Sequence, residues 1–148
     1  VLFRSMSEEN KRILIISASV LEYRVLRECA IKNGYTFTDV DTNLDEFSYA
    51  ECLTLDEKKI FLARTDMGAL NAAHTIDVLN RTINPDFVIV GGICVGLRKK
   101  EQKLAQLLIS KQIHDYDLQK VANGNRILRG TTIPANRYLY DKCNIGKR

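Results

Sequence analysis

The sequence is short of the residues that mark several common function classes. Its four cysteines, Cys29, Cys52, Cys94 and Cys143, lie far apart. No Cys-x-x-Cys or Cys/His spacing joins them, which argues against a zinc site or a small disulfide framework and fits a reduced, cytoplasmic setting. Two prolines and eight glycines build no low-complexity tract or flexible linker, and no internal repeat is present. No apolar run approaches the roughly 18 residues needed to span a bilayer. Val1-Leu2-Phe3-Arg4-Ser5 is too short for a signal peptide and runs directly into Met6. Residues 1–5 are therefore expected to be an expression-derived remnant, with the folded domain occupying 6–148. The net charge is a modest +4. Arg98, Lys99, Lys100 and Lys103 have no aromatic residues interleaved for base stacking, so they are expected to form a solvated loop and not a nucleic-acid patch.

What is present is enough for a core. With 45% hydrophobic residues in 148, the chain can bury roughly 68–70% of the surface its unfolded form exposes. Ile13-Leu14-Ile15-Ile16 is apolar throughout, as in strands buried on both faces of a parallel sheet. Leu21, Val25, Leu26, Cys29 and Ala30 then recur at helical spacing until Asn33-Gly34 stops them. Tyr35 to Val40 and Phe47 to Leu55 are predicted strands, the second forming a hairpin with Lys58 to Ala63 across Asp56-Glu57. Asn71 to Leu79 is amphipathic, and Phe87-Val88-Ile89-Val90 forms another strand ending in Gly91-Gly92-Ile93-Cys94-Val95-Gly96. The Ile13 and Phe87 strands are expected as adjacent, central parallel strands. Further on, Leu104 to Ile109 is predicted as a strand, Asp117 to Val121 as another, and Pro134-Ala135-Asn136 as a helix start. The order implies an α/β fold with a mixed, mostly parallel sheet flanked by helices.

Glycines gather at the ends of these strands, where open α/β sheets bind ligands. They fit neither a Gly-x-Gly-x-x-Gly fingerprint after the first strand nor a P-loop. Strand one ends in Ser17-Ala18-Ser19, without the acidic pair of a phospho-receiver. Cys94 follows a glycine turn but no local signature pairs it with a base. His114-Asp115-Tyr116-Asp117 lacks a third metal ligand and reads as a structural network. His74 reads as a surface or half-buried residue. Glu22, one turn into the first helix, is by itself a solvated glutamate favoured by the helix dipole. No metal and no cofactor is expected.

Taken in order, the segments resemble the superfamily of purine nucleoside phosphorylases and methylthioadenosine/adenosylhomocysteine nucleosidases. Ile13 to Glu22 is similar to its opening strand, turn and glutamate. Thr65-Asp66-Met67-Gly68-Ala69-Leu70-Asn71-Ala72-Ala73 is similar to its Ser-Gly-Ile-Gly-Lys-Val-Asn-Ala-Ala turn and helix. Pro85 to Leu97 is similar to the strand and Gly-Ser-Ala-Gly-Gly-Leu loop, and Ile113 to Asp117 to the acidic strand that follows. The resemblance implies purine nucleosides or related small molecules as ligands and N-glycosidic cleavage as chemistry; if this chain only partly completes the sheet, the apolar surface left exposed implies a homo-oligomer. It implies Glu22 as the residue that helps activate the attacking water, and Ser17, Ala18, Met67, Gly68, Gly92, Ile93 and Cys94 as lining for ribose and base. The phosphorylases carry a phosphate-binding arginine where this chain has Val90, which favours hydrolysis. Ala105-Gln106 stands in place of the family's Gly-Asp, and no segment after Asp117 resembles its ribose-binding Met-Glu or its purine-protonating aspartate. The chain is accordingly expected to be an N-terminal part of the fold, with an incomplete site and little activity alone. The alternatives are a non-catalytic nucleoside-sensing or assembly module of the same fold, or an unrelated flavodoxin-like binding domain.

Overall fold

The computed structural model describes residues 11–40, 49–55, 58–98, 100–114, 119–122, 124–128 and 130–145. Residues 1–5, Phe47 and the Asp56-Glu57 turn lie outside them. The chain divides into two compact units between Val95 and Gly96.

In the first unit, β1 (Arg12–Ser17) leads into α1 (Val20–Lys32), followed by β2 (Thr38–Asp39), β3 (Tyr49–Leu55), β4 (Lys58–Arg64), α2 (Ala69–Ile83) and β5 (Phe87–Val90). The five strands form one sheet in the order β2-β3-β4-β1-β5. β1 pairs in parallel with β4 and with β5, while β3 is antiparallel to both β2 and β4. The mixed sheet is thus parallel at its β4-β1-β5 end and a meander at the other. Its alternation sorts the two helices onto opposite faces. Leu14, Ile16, Ala50, Phe61 and Ala63 form one core with Leu79 and Ile83 of α2, while Glu51 meets Tyr23 and Arg27 of α1 on the other face. Asn33 and Gly34, with φ of +86° at Gly34, end α1 where the Asn-Gly pair is expected to.

Two expectations for this unit change. Tyr35 to Val40 yields a strand of only two residues. β5 is adjacent and parallel to β1 but is not central: it lies at the sheet edge, with Val90 68% exposed. A four-residue apolar run states that a strand prefers burial. It does not state how many neighbours arrive to cover it.

In the second unit, β6 (Gln112–His114) pairs antiparallel with β9 (Thr132–Pro134), β7 (Gln119–Ala122) pairs with β8 (Asn125–Leu128), and α3 spans Arg137–Ile145. The strand predicted over Leu104 to Ile109 is absent. Ala105 takes φ of +60°, a left-handed conformation that breaks an extended run, and Leu104 is 102% exposed. Pro134 does not open a helix but closes β9. The following Asn136 does the helix-starting work, its Oδ1 accepting from the Leu139 amide at 3.2 Å.

Candidate functional site

β4, β1 and β5 end together at one edge of the sheet, since Ser17 pairs with Arg64 and Ile16 with Val90. Their carboxyl ends release the turns 65–68, 17–19 and 91–95. α1 leaves β1 over one face and α2 leaves β4 over the other. Connections that diverge in this way open a crevice outside the strand ends.

Glu22 is fixed there by local chemistry. Ser19 caps α1 from an extended conformation (φ −121°, ψ 156°). Its Oγ accepts the Glu22 amide at 3.2 Å, while Glu22 Oε2 accepts the Ser19 amide at 3.0 Å and the Ser19 hydroxyl at 2.9 Å. This reciprocal capping box leaves Oε1 free to reach across to the next turn, where it accepts the Ile93 amide at 2.7 Å. Gly92 permits the approach, because a Cβ there would lie 2.7 Å from Glu22 Oε1. The Ile93 amide, then the Ser19 hydroxyl, hold the Glu22 carboxyl below its ordinary range against a small opposing effect of burial. The group is therefore ionised at neutral pH and a weakened base. Its remaining lone pairs can still accept from a water or a sugar hydroxyl.

Beside it lies a mainly apolar crevice of about 250 Å3, lined by Leu21, Glu22, Val25, Leu26, Gly92 and Ile93. That is smaller than the roughly 300–1,000 Å3 of a whole small-molecule site, and matches part of a ligand. The other expected lining residues, Ser17, Ala18, Met67, Gly68 and Cys94, are not among those that line it. Ala18 and Cys94 are exposed, and Ser17 is buried, with its hydroxyl unpartnered in the described residues. Met67 is 77% exposed, and Gly68, with φ of +107°, opens α2 without a side-chain cap. Neither lines the Glu22 crevice. A second cavity, of about 460 Å3, lies beside them between β4 and α2, lined by Thr65, Asp66, Leu70, Asn71, His74 and Thr75.

Elsewhere, His114 Nδ1 lies 2.6 Å from Thr132 Oγ1 across the β6-β9 pair, while Asp115 to Asp117 fall outside the described residues. Among the described residues no group of His, Cys, Asp and Glu could hold a metal ion, and no helix is long and apolar enough to cross a membrane. Two features escape the sequence reading. Ser19-x-x-Glu22 is a capping-box spacing that could have been found by inspection. Glu51, buried and bonded to Tyr23 and Arg27, could have been signalled only by a charged residue at an inward position of a strand.

No protein-family model and no curated protein matches the chain. Solved structures do. The methylthioadenosine/S-adenosylhomocysteine nucleosidase of Neisseria meningitidis, solved with methylthio-immucillin-A, superposes with a TM-score of 0.72 at 22% identity, over 93% of this chain and 58% of its own. The Helicobacter pylori nucleosidase MTAN gives 0.70 at 17% identity, over 93% and 62%. Futalosine hydrolase of the same organism gives 0.73 at 16% identity, over 93% and 59%. The chain has the fold of these nucleosidases and spans about three fifths of their length.

Proposed function

We propose that the chain carries the Glu22 side of a purine-nucleoside site whose chemistry is hydrolytic cleavage of the N-glycosidic bond. The observation that carries this reading is the Glu22 carboxylate bonded at 2.7 Å to the Ile93 amide, in the turn that follows β5. The nucleosidase fold around it is the context that gives this contact a chemical meaning. In this reading the ribose lies beside Glu22 along Gly92 and Ile93, and Ser17, Ala18, Met67, Gly68 and Cys94, which do not line that crevice, meet the rest of the ligand. The ionised Glu22 orients the attacking water and favours positive charge on the sugar as the bond breaks. The water oxygen bonds to the anomeric carbon, the bond to the purine nitrogen breaks, and the departing base takes up a proton. No residue of this chain is assigned to that protonation, so the 148 residues are expected to bind a nucleoside and release little purine. Val90, in place of a phosphate-binding arginine, favours water over phosphate as the nucleophile. Four free cysteines suit a cytoplasmic setting.

The lowered basicity of Glu22 favours a second reading, a nucleoside-sensing or assembly module of the same fold that binds without turnover. Calorimetry with a nucleoside analogue of the immucillin type, beside a purine-release assay, separates the two. Binding without release by this chain is the expected result. Where the missing acid is supplied, Glu22→Gln should keep binding and lower turnover by about 100- to 10,000-fold. Absence of any nucleoside binding would overturn the site. Robust methylthioadenosine hydrolysis by these residues alone would overturn its incompleteness.

A further inference from the structure

α1 is an unusual helix to carry a precisely placed group, because little apolar burial holds it. Tyr23 is its one buried residue among those described, whereas Val20, Leu21 and Val25 are at least half exposed. What fixes it is polar. Glu51 of β3, 3% exposed, accepts the Tyr23 hydroxyl and takes Arg27 Nε at 2.7 and 3.0 Å. The Arg27 guanidinium in turn stacks 5.6 Å from the centre of the Phe37 ring. Tyr23 and Arg27 are four residues apart and share one stripe of the helix.

The neighbouring stripe, about 100° around the axis, faces the opposite way along the sheet. There Glu22 bonds the Ile93 amide, and Leu26 approaches Gly91, where a Cβ would lie 3.6 Å from Leu26 Cδ1. β3 and β5 are three strand spacings apart in the order β3-β4-β1-β5, roughly 14 Å. α1 therefore spans the sheet between two anchors, one at β3 and one beyond β5. A rotation about the helix axis that loosens the first displaces the second.

We propose that Glu51 is a positioning residue: by binding Tyr23 and Arg27 it sets the rotation of α1 and so aims Glu22 at the Ile93 amide. The inference rests on the reading of Glu22 as the functional carboxylate and adds to it the residue, 29 positions away in sequence, that holds it in line. Glu51 is not among the residues that line the crevice. Its action passes through the helix.

The test reads the Ile93 amide by NMR in the full chain and needs no turnover, so its failure is separable from failure of the nucleosidase reading. Glu22→Gln defines the amide signal without the carboxylate, and the acid titration of the wild-type amide reports the Glu22 charge. In Glu51→Gln the Ile93 signal should move most of the way to its Glu22→Gln position, and its titration midpoint should rise toward the ordinary glutamate range. Tyr23→Phe, which keeps the Arg27 pair, should move it part of the way and serves if Glu51→Gln does not fold. Leu79→Ala, a buried substitution in the core on the opposite, α2 face of the sheet, should lower the melting temperature without moving the signal. An unmoved Ile93 amide in the folded Glu51→Gln and Tyr23→Phe chains would overturn the proposal, as would an equal displacement in Leu79→Ala.

Discussion

At the scale of single residues, the site is defined by one carboxylate with two occupations. Glu22 caps the helix that carries it and tethers the turn after β5, and both contacts draw on its negative charge. Gly92→Ala places a Cβ on Oε1 and should break the tether. A hydrogen bond to a charged group is worth about 1.5–3 kcal/mol, and partial exposure of Glu22 points to the lower end. The cost of Gly92→Ala should therefore be about 1–2 kcal/mol in urea melts, and should shrink in a Glu22→Ala background, since the two substitutions remove the same contact. The lowered carboxyl also fixes a sign for pH. The unfolded chain takes up this proton before the folded one, so the contribution is complete above the ordinary glutamate range and is lost as pH falls through the lowered folded value. Urea midpoints between about pH 5 and 2 should fall less steeply in Glu22→Gln than in the wild type.

At the scale of elements, the two helices are held by different physics. α2 buries Thr75, Leu79 and Ile83 at four-residue spacing, the last two in one core with Leu14, Phe61 and Ala63, so its pattern is visible in sequence as a stripe. Leu79 is fully buried, and Leu79→Ala should cost about 2–5 kcal/mol by thermal or urea unfolding. α1 has a weaker stripe and depends on the Tyr23, Arg27 and Glu51 cluster. This is why its existence and limits were legible, from Leu21 to the Asn33-Gly34 stop, while its anchorage was not. The hairpin of β3 and β4 was legible because alternation and turn residues are local. The adjacency of β1 and β5 is legible from their wholly apolar runs, whereas the parallel pairing of β1 with β4 is decided only by the tertiary structure. The Leu104 to Ile109 segment misled because apolar content was read as a strand although extended backbone requires a hydrogen-bonding partner.

At the scale of the whole molecule, a large share of apolar surface remains uncovered. Val90, Ile93 and Val95 of the first unit and Leu97, Leu104 and Leu107 of the second are all at least 68% exposed, and abundant exposed apolar surface marks interfaces or aggregation. We expect the chain to self-associate, with an apparent mass in light scattering that rises with concentration. A monodisperse monomer at high concentration would contradict this.

The sequence by itself determined the β1-α1 and β4-α2-β5 pattern, the hairpin, and the identity of Glu22, Gly68 and Gly92 as residues at strand ends. These follow from periodicity, turn chemistry and glycine placement, each of which acts over a few neighbouring residues. Only the tertiary structure decided that Glu22 bonds Ile93, 71 residues on. It alone placed β5 at an edge, and it alone buried Glu51 beneath α1. Those outcomes depend on which segments meet across the sheet. A carboxylate looks the same in sequence whether it is solvated on a helix or paired with an arginine inside the fold, because what distinguishes the two is the partner that the chain brings from elsewhere.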